Sequence, residues 1–228
     1  MLTDQYVWFI WSLTFMIPWI VIYYYFPHQR KPMLWSSLFT MPFGLTEPLF
    51  VPEYWSPPSV FDLALTTGFD IESLIFCFGI GGTGAVLYNT ITKKQPKITN
   101  YDFRASAIHR HHYKALSTPF IVFLLLYYFP WNPIYPGIIA MFVGGIATIL
   151  CRPDLKNKTW LGGVVFLLYY SIFLIGLEVS APGYIDRVWN YSELTGVSIG
   201  FIPLEELLFA FTFGMYWSGV YEHYTWHK

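Results

Sequence analysis

The chain has 228 residues, of which 55% are hydrophobic, 21% are aromatic and only 12% are charged, and its formal net charge is −1. Soluble domains carry about 25% charged residues, so this composition excludes a water-soluble protein, a disordered chain and a collagen-like one. Because no basic stripe is present to neutralise phosphates, nucleic acid is excluded as a partner, and the lipid bilayer is the expected surroundings.

Seven stretches are long and apolar enough to cross a bilayer, whose core of about 30 Å requires about 20 residues of helix. They cover residues 6–26, 33–51, 68–91, 115–130, 134–151, 159–179 and 195–220. Several contain proline or glycine, which neighbouring helices make tolerable inside a membrane. The sequence therefore predicts an all-α polytopic membrane protein with seven transmembrane helices.

The basic residues give an independent test of the span count. Of the 13 Lys and Arg residues, all except Arg187 fall on one side when seven spans are drawn. Lys and Arg concentrate in cytoplasmic loops. This distribution predicts a multi-pass protein of the cell membrane with its N-terminus outside and its C-terminus in the cytoplasm.

The third and seventh spans are similar in sequence. Residues 69–78 align with residues 202–211, matching Glu72 with Glu205, and the same alignment brings Trp55 within one position of Trp189. An odd number of spans separates the two halves, so the repeats have the same orientation. We predict two parallel three-helix repeats joined by a linking helix, with repeat one at 1–93, a basic loop and linking span at 94–133, and repeat two at 134–228.

Acidic residues are the main functional signal within the spans. They are Glu47, Glu72, Glu178, Glu205 and Glu206, with Asp70 close by, and the seven spans contain no Lys, Arg or His. A buried carboxyl without a cation avoids the cost of desolvation by keeping its proton, so it can act as a proton donor. Matching depths predict one cavity in the outer half of the membrane. The alternative is that these glutamates hydrogen-bond neighbouring helices.

Glu205 and Glu206 are adjacent, and adjacent residues point about 100° apart on a helix. We therefore expect one to line the cavity and the other to pack at the interface between the repeats.

Aromatic residues are the second signal, because ring faces can stabilise a carbocation. The candidates near the acids are Phe76, Phe78, Phe209, Phe211, Trp55 and Trp189. Core packing is the competing interpretation for the phenylalanines, and a position at the membrane interface is the competing one for the tryptophans.

Two other groups receive a structural interpretation. His109, His111 and His112 surround Arg110 at the predicted cytoplasmic end of the fourth span. We interpret this cluster as a solvated flank rather than a metal site, which would require further ligands at defined spacing. The glycines of the third span, at 79, 81, 82 and 84, indicate close helix packing.

One motif resembles a known family. It reads Pro203-Leu204-Glu205-Glu206-Leu207-Leu208-Phe209, preceded by Trp189 and a helix entry at Thr195-Gly196. It is similar to the signature of the integral-membrane, non-flavin lycopene cyclase domain, and residues 42–48 and 54–55 resemble the corresponding first-half segment. Over nearly its whole length the chain resembles the fused, two-repeat form of the heterodimeric-type carotenoid cyclases.

This resemblance implies cyclisation of lycopene, or a related acyclic carotenoid, to β-ionone-type rings. Such a cyclisation is a redox-neutral isomerisation that requires no cofactor and no metal. We expect Glu205 to donate the proton, with Glu206, Glu72 and Glu47 as base or electrostatic partners and Glu178 in support. The first half has Glu72-Ser73 where the second has Glu-Glu, which indicates that the halves are not equivalent. The ring type, the number of ends cyclised, and the choice between a monomer and a homo-oligomer stay open.

Four other functions compete with this interpretation. A retinal photoreceptor needs a Schiff-base lysine, which span seven lacks, and a membrane prenyltransferase needs acid-rich metal motifs. A proton-coupled transporter fits repeats and buried acids. A cyclase of another membrane terpenoid or polyene would use the same acid chemistry.

Overall fold

The computed structural model describes residues 4–228, and this part of the chain is mostly α-helical. The helices are α1 (Asp4–Thr14), α2 (Met16–Tyr25), α3 (Arg30–Thr40), α4 (Leu63–Thr67), α5 (Ile71–Thr92), α6 (Tyr101–Ala105), α7 (His112–Tyr127), α8 (Ile134–Cys151), α9 (Lys156–Ser180), α10 (Tyr184–Val188), α11 (Leu204–Trp217) and α12 (Val220–Thr225). Short 3-10 helices lie at Pro27–Gln29, Met41–Leu49, Val60–Asp62, Ala107–His109, Pro153–Leu155 and Tyr191–Glu193. Two short strands, β1 (Ser198–Ile199) and β2 (Ile202–Pro203), form an antiparallel pair.

Four helices have the length and composition of membrane-crossing segments: Asp4–Tyr25, Ile71–Thr92, Ile134–Cys151 and Pro153–Ser180. They correspond to the first, third, fifth and sixth predicted spans, which confirms the expectation of a helical membrane protein. The first one is interrupted at Phe15, between α1 and α2, where Pro18 lacks the N–H that would bond to the Thr14 carbonyl.

The other three predicted spans contain shorter helices. The stretch 33–51 changes from α3 to the 3-10 helix Met41–Leu49, and α7 has 16 residues with Pro119 inside. In the stretch 195–220, the helix α11 begins only at Leu204.

The predicted helix entry at Thr195-Gly196 is wrong. Gly196 and Gly200 have φ values of 72° and 66°, in the left-handed region that favours glycine. They allow the chain to turn and form β1 and β2 before α11 starts after Pro203. This hairpin delivers Glu205 and Glu206 into the first turn of α11, where the helix dipole favours negative charge.

Helix α5 packs closely against α3, as the glycine pattern predicted. A Cβ atom on Gly81 would lie 2.0 Å from Thr40 Oγ1, and one on Gly82 would lie 2.2 Å from Ser37 Oγ. Only glycine permits this approach. Helix α11 packs against α8, α9 and α5, and α7 lies along α8.

An isolated antiparallel bridge joins Trp55 to Trp189. The Ser56 N–H donates to the Val188 carbonyl at 2.9 Å, and the Asn190 N–H donates to the Tyr54 carbonyl at 3.0 Å. This bridge fixes two segments that are far apart in sequence at one end of α11.

Candidate functional site

A cavity of about 500 Å³ lies among the helices, a size typical of small-molecule sites. Its wall is built from α1, the end of α3, the 3-10 helix Met41–Leu49, α5, α7, α8, α9, α11 and the two bridge segments. Most of the lining side chains are aromatic or aliphatic. Among the described lining residues, Glu47 and Glu206 are the acids, and the wall contains no Lys, Arg or His.

Glu206 is buried and held by two hydrogen-bond donors. Its Oε1 accepts the hydroxyl of Tyr54 and, at 2.8 Å, the indole N–H of Trp189. Its Oε2 has no hydrogen-bond partner among the described residues. The bridge segments therefore orient one oxygen of Glu206, and the side chain of Tyr170, another lining residue, also lies close to this carboxyl.

Glu205 is also buried, but it does not line the cavity. Its Oε1 accepts the Tyr135 hydroxyl at 3.0 Å and both the N–H and the hydroxyl of Thr195, at 2.9 and 2.7 Å. Glu205 thus ties the segment before β1 to α11 and α8. Of the adjacent pair only Glu206 lines the cavity, since the two side chains diverge by about 100°. Glu205 does not pack at the interface between the predicted repeats, because Tyr135 and Thr195 both belong to the second one.

Glu47 reaches the cavity from the 3-10 helix Met41–Leu49. Its Oε2 accepts the main-chain N–H of Asp70 at 3.0 Å, and its Oε1 has no partner among the described residues. Asp70 is buried as the N-cap of α5, where its side chain accepts the N–H of Ser73. The ion pairs of the described chain are Arg152–Asp154, Lys158–Glu222 and Arg187–Asp4, so none involves Glu47 or Glu206.

Glu72 and Glu178 lie outside the cavity wall. The Oε1 of Glu72 accepts the N–H of Val60 at 2.7 Å. Glu178 accepts the N–H of Gly183 at 2.5 Å and that of Ile185 at 3.3 Å, beyond the end of α9. Each of these two carboxylates holds a loop, so the prediction of five acids around one cavity is wrong for Glu72, Glu178 and Glu205.

Four of the six predicted aromatic residues line the cavity, namely Trp55, Phe76, Trp189 and Phe209. Phe78 instead packs on Trp19, with ring centroids 5.3 Å apart, and Phe211 faces Trp160 at 6.3 Å. Residues two positions apart on a helix point about 200° away from each other. Phe76 and Phe78 could therefore not both face the cavity, and the same holds for Phe209 and Phe211.

Sequence reasoning missed several lining residues. They include Tyr54, Tyr170, Phe173, Phe213 and Trp217. The signal was present in their spacing, because Phe209, Phe213 and Trp217 recur every fourth residue and stack in series with centroids 5.8 and 5.6 Å apart.

The histidine cluster differs from its sequence interpretation. Arg110 and His111 are exposed, but His109 and His112 are buried against Cys151, so the prediction of a solvated flank is wrong for these two. Burial and the nearby Arg152 lower the pKa of His112 to about 4. Burial, His112 and Arg152 lower that of His223 to about 3. Both imidazoles are therefore neutral at pH 7.

A family model described as lycopene cyclase matches residues 132–224 of this chain. The matched segment runs from before α8 through most of α12, and it contains Trp189, Glu205 and Glu206 but neither Glu47 nor Trp55. This match supports a lycopene cyclase domain and, with it, an enzyme of carotenoid cyclisation. No curated protein and no solved structure matches the chain.

Proposed function

We propose that this protein is a membrane-embedded lycopene β-cyclase, which closes an acyclic carotenoid end into a β-ionone-type ring by acid catalysis. The observation that carries the proposal is the cavity itself. Two carboxyl groups, on Glu47 and Glu206, each have one unpartnered oxygen on an aromatic wall without a cation. The lycopene cyclase match over residues 132–224 supplies the substrate class.

The reaction is an isomerisation with balanced atoms and electrons. A carboxylic acid gives its proton to the terminal alkene, the neighbouring double bond attacks the resulting tertiary cation, and loss of a proton to a carboxylate restores an alkene. One C–C bond forms, and no oxidant or reductant is consumed. The site must provide one neutral acid, one base and a dry cavity.

We assign the proton donor to Glu47 and the base to Glu206. Hydrogen bonds to a carboxylate stabilise its charged form, and Glu206 accepts two side-chain donors, from Tyr54 and Trp189. Glu47 accepts the main-chain N–H of Asp70, with the Ser73 side chain also nearby, and the neighbouring Asp70 carboxyl favours the protonated form of Glu47. This assignment replaces Glu205 as the donor, because Glu205 lies outside the cavity wall.

The aromatic lining suits the cationic intermediate. Faces of Trp, Tyr and Phe attract a cation through their quadrupole, and Trp55, Trp189 and Phe209 line the same cavity as both acids. The apolar wall also excludes water that would otherwise capture the cation. In this proposal, Glu205, Glu72 and Glu178 are positioning residues that hold the surrounding loops.

We further propose the arrangement of seven spans in two parallel repeats, 1–93 and 134–228, joined by 94–133. Several symmetric features support it. The helices α2 and α8 both end on a residue with φ near −120° and ψ of 74°, Phe26 and Arg152, before a 3-10 turn that begins with proline. The bridge joins the equivalent Trp55 and Trp189. The asymmetry of basic residues favours an external N-terminus and a cytoplasmic C-terminus in the cell membrane.

The test is conversion of lycopene by the purified, folded protein and three single variants. Glu206→Gln and Glu47→Gln should lower turnover by about 100-fold or more, the range expected for loss of a general acid or base. The matched control is Glu53→Gln, an exposed glutamate next to the site segment, which should keep normal turnover. Full conversion by the folded Glu47→Gln and Glu206→Gln variants would contradict the proposal, as would absence of any ring product from the unaltered protein.

A further inference from the structure

We propose a zinc site formed by His109, His112 and Cys151 at the opposite end of α8 from the part that lines the cavity. His109 ends the 3-10 helix Ala107–His109, His112 begins α7, and Cys151 ends α8. All three side chains are more than nine-tenths buried, with exposures of 6%, 4% and 6%. One ligand atom from each lies within 4.8 Å of the others.

The distances suit tetrahedral coordination. Zinc binds sulfur at about 2.3 Å and imidazole nitrogen at about 2.0–2.1 Å, so a tetrahedral angle separates these two ligand atoms by about 3.5 Å. Cys151 Sγ lies 3.6 Å from His112 Nδ1 and 3.9 Å from His109 Nδ1. Both separations are within a few tenths of an ångström of this value, and the ligand atoms of all three residues lie within 4.8 Å of one another.

Without a metal, weak sulfur hydrogen bonds hold the cluster together. The Cys151 thiol can donate to one of the two Nδ1 atoms that face it and accept an N–H from the other. A metal ion would satisfy all three atoms together, with the thiol proton released to solvent as the thiolate binds.

His223 packs beside the cluster without joining it. Its ring centroid lies 4.6 Å from that of His112 in an edge-to-face contact, and its Nδ1 contacts Thr148 Oγ1 at 3.3 Å. The group whose ligand atoms lie within 4.8 Å of one another consists of His109, His112 and Cys151. A water molecule would therefore complete four-coordination.

The positive charge of Arg152 opposes a cation at the cluster, but Asp154 partly offsets it, and a Cys151 thiolate would add a negative charge beside the ion. The Arg152 guanidinium pairs with Asp154 through two contacts of 2.8 and 2.7 Å. It also donates to the main-chain carbonyls of Glu222 and His227. A set of two imidazoles and one thiolate favours zinc over magnesium or calcium, which prefer oxygen ligands.

The role we infer for the ion is structural. Cys151 lies eleven residues beyond Ala140, a lining residue of the cavity, which corresponds to about 16 Å along α8. The ion would hold the start of α7 against the end of α8. Two residues of α7, Phe120 and Phe123, line the cavity, so the ion would also stabilise this part of its wall. This inference does not depend on the proposed function.

The experiment titrates Co²⁺, a spectroscopic substitute for zinc, into the full-length, tag-free protein in detergent after chelator treatment. We expect about one Co²⁺ per chain with a thiolate-to-cobalt charge-transfer band, and displacement of that band by Zn²⁺. Cys151→Ala should abolish the band, and His112→Ala should weaken binding by about 100-fold or more, at least as much as loss of an outer-shell partner.

The controls are matched in residue type. Cys77→Ala removes the other cysteine and His111→Ala removes the exposed neighbour of His112, and both should keep the band and the affinity. Absence of a charge-transfer band in the unaltered protein would overturn the proposal without reference to any variant. An unchanged band in Cys151→Ala, or its loss in Cys77→Ala, would overturn it as well.

Discussion

Trp55 and Trp189 face each other across an antiparallel bridge, with ring centroids 5.5 Å apart. The same Trp189 donates its indole N–H to Glu206, and Tyr54, next to Trp55, donates its hydroxyl to the same oxygen. The bridge thus links two distant segments through their main chains and directs both donors at one carboxylate.

Removing the indole donor should impair turnover more than stability. Trp189→Phe keeps an aromatic ring in the wall but removes the hydrogen bond to Glu206, and a bond to a charged group contributes about 1.5–3 kcal/mol. We expect turnover of lycopene to fall about 10- to 100-fold. The measurement is steady-state conversion beside the control Trp160→Phe, which alters an exposed tryptophan. Equal activity of the two variants would show that the donor does not act on the reaction.

Glu205 should affect stability more than chemistry. In Glu205→Gln the amide oxygen still accepts from Thr195 and Tyr135, but the stronger, charge-assisted bonds are lost. We expect a loss of about 1–2 kcal/mol in stability and turnover within about tenfold of normal, measured by thermal unfolding and product analysis. If the folded Glu205→Gln protein were as inactive as Glu206→Gln, Glu205 and not Glu47 would be the better candidate for the proton donor.

Isotope incorporation tests the redox-neutral mechanism. Because the donated proton comes from a carboxyl that exchanges with water, cyclisation in D₂O should place one deuterium in each ring that forms. In H₂O, the mass of the product should equal that of lycopene. Mass spectrometry of the pigment checks both statements. A product lighter by two hydrogens, or one without deuterium, would contradict a simple proton transfer.

The buried ion pair beside the histidine cluster should be important for stability. Lys158 and Glu222 are both buried, and Asn89 also donates to Glu222 at 2.8 Å. Lys158→Met leaves a buried carboxylate without its cation, which costs about 3–5 kcal/mol. Arg187→Met breaks the ion pair between Arg187 and Asp4. Both of these side chains are exposed, so the variant should lose at most about 1 kcal/mol of stability. Thermal unfolding in detergent compares the two; similar shifts would contradict the assignment.

The long apolar helices were predictable, and the hairpin before α11 was not. Uninterrupted apolar runs such as 134–151 leave few alternatives to a membrane helix. Residues 195–203 contain enough apolar residues to be joined to the apolar helix that follows, but Gly196 and Gly200 adopt left-handed conformations that end the helical pattern. Average hydropathy does not detect such local backbone requirements.

The acids of the site were recognisable, but their orientations were not. Sequence places Glu205 and Glu206 on one helix turn and leaves open which faces the cavity, because the answer depends on where Tyr54, Tyr135 and Thr195 lie. The prediction that the histidine cluster is a solvated flank was wrong for a related reason. His112 and Cys151 are 39 positions apart, and only the packing of α7 along α8 brings them together.

The cavity is lined by Glu47, from the early part of the chain, and by Glu206, from near its end. Neither part of the chain supplies both acids of the proposed site, and the distance between the two carboxyl groups depends on the helix contacts that lie between them. Substitutions that slightly loosen that packing, even in membrane regions remote from any acid, should therefore diminish ring formation while the protein still folds and inserts.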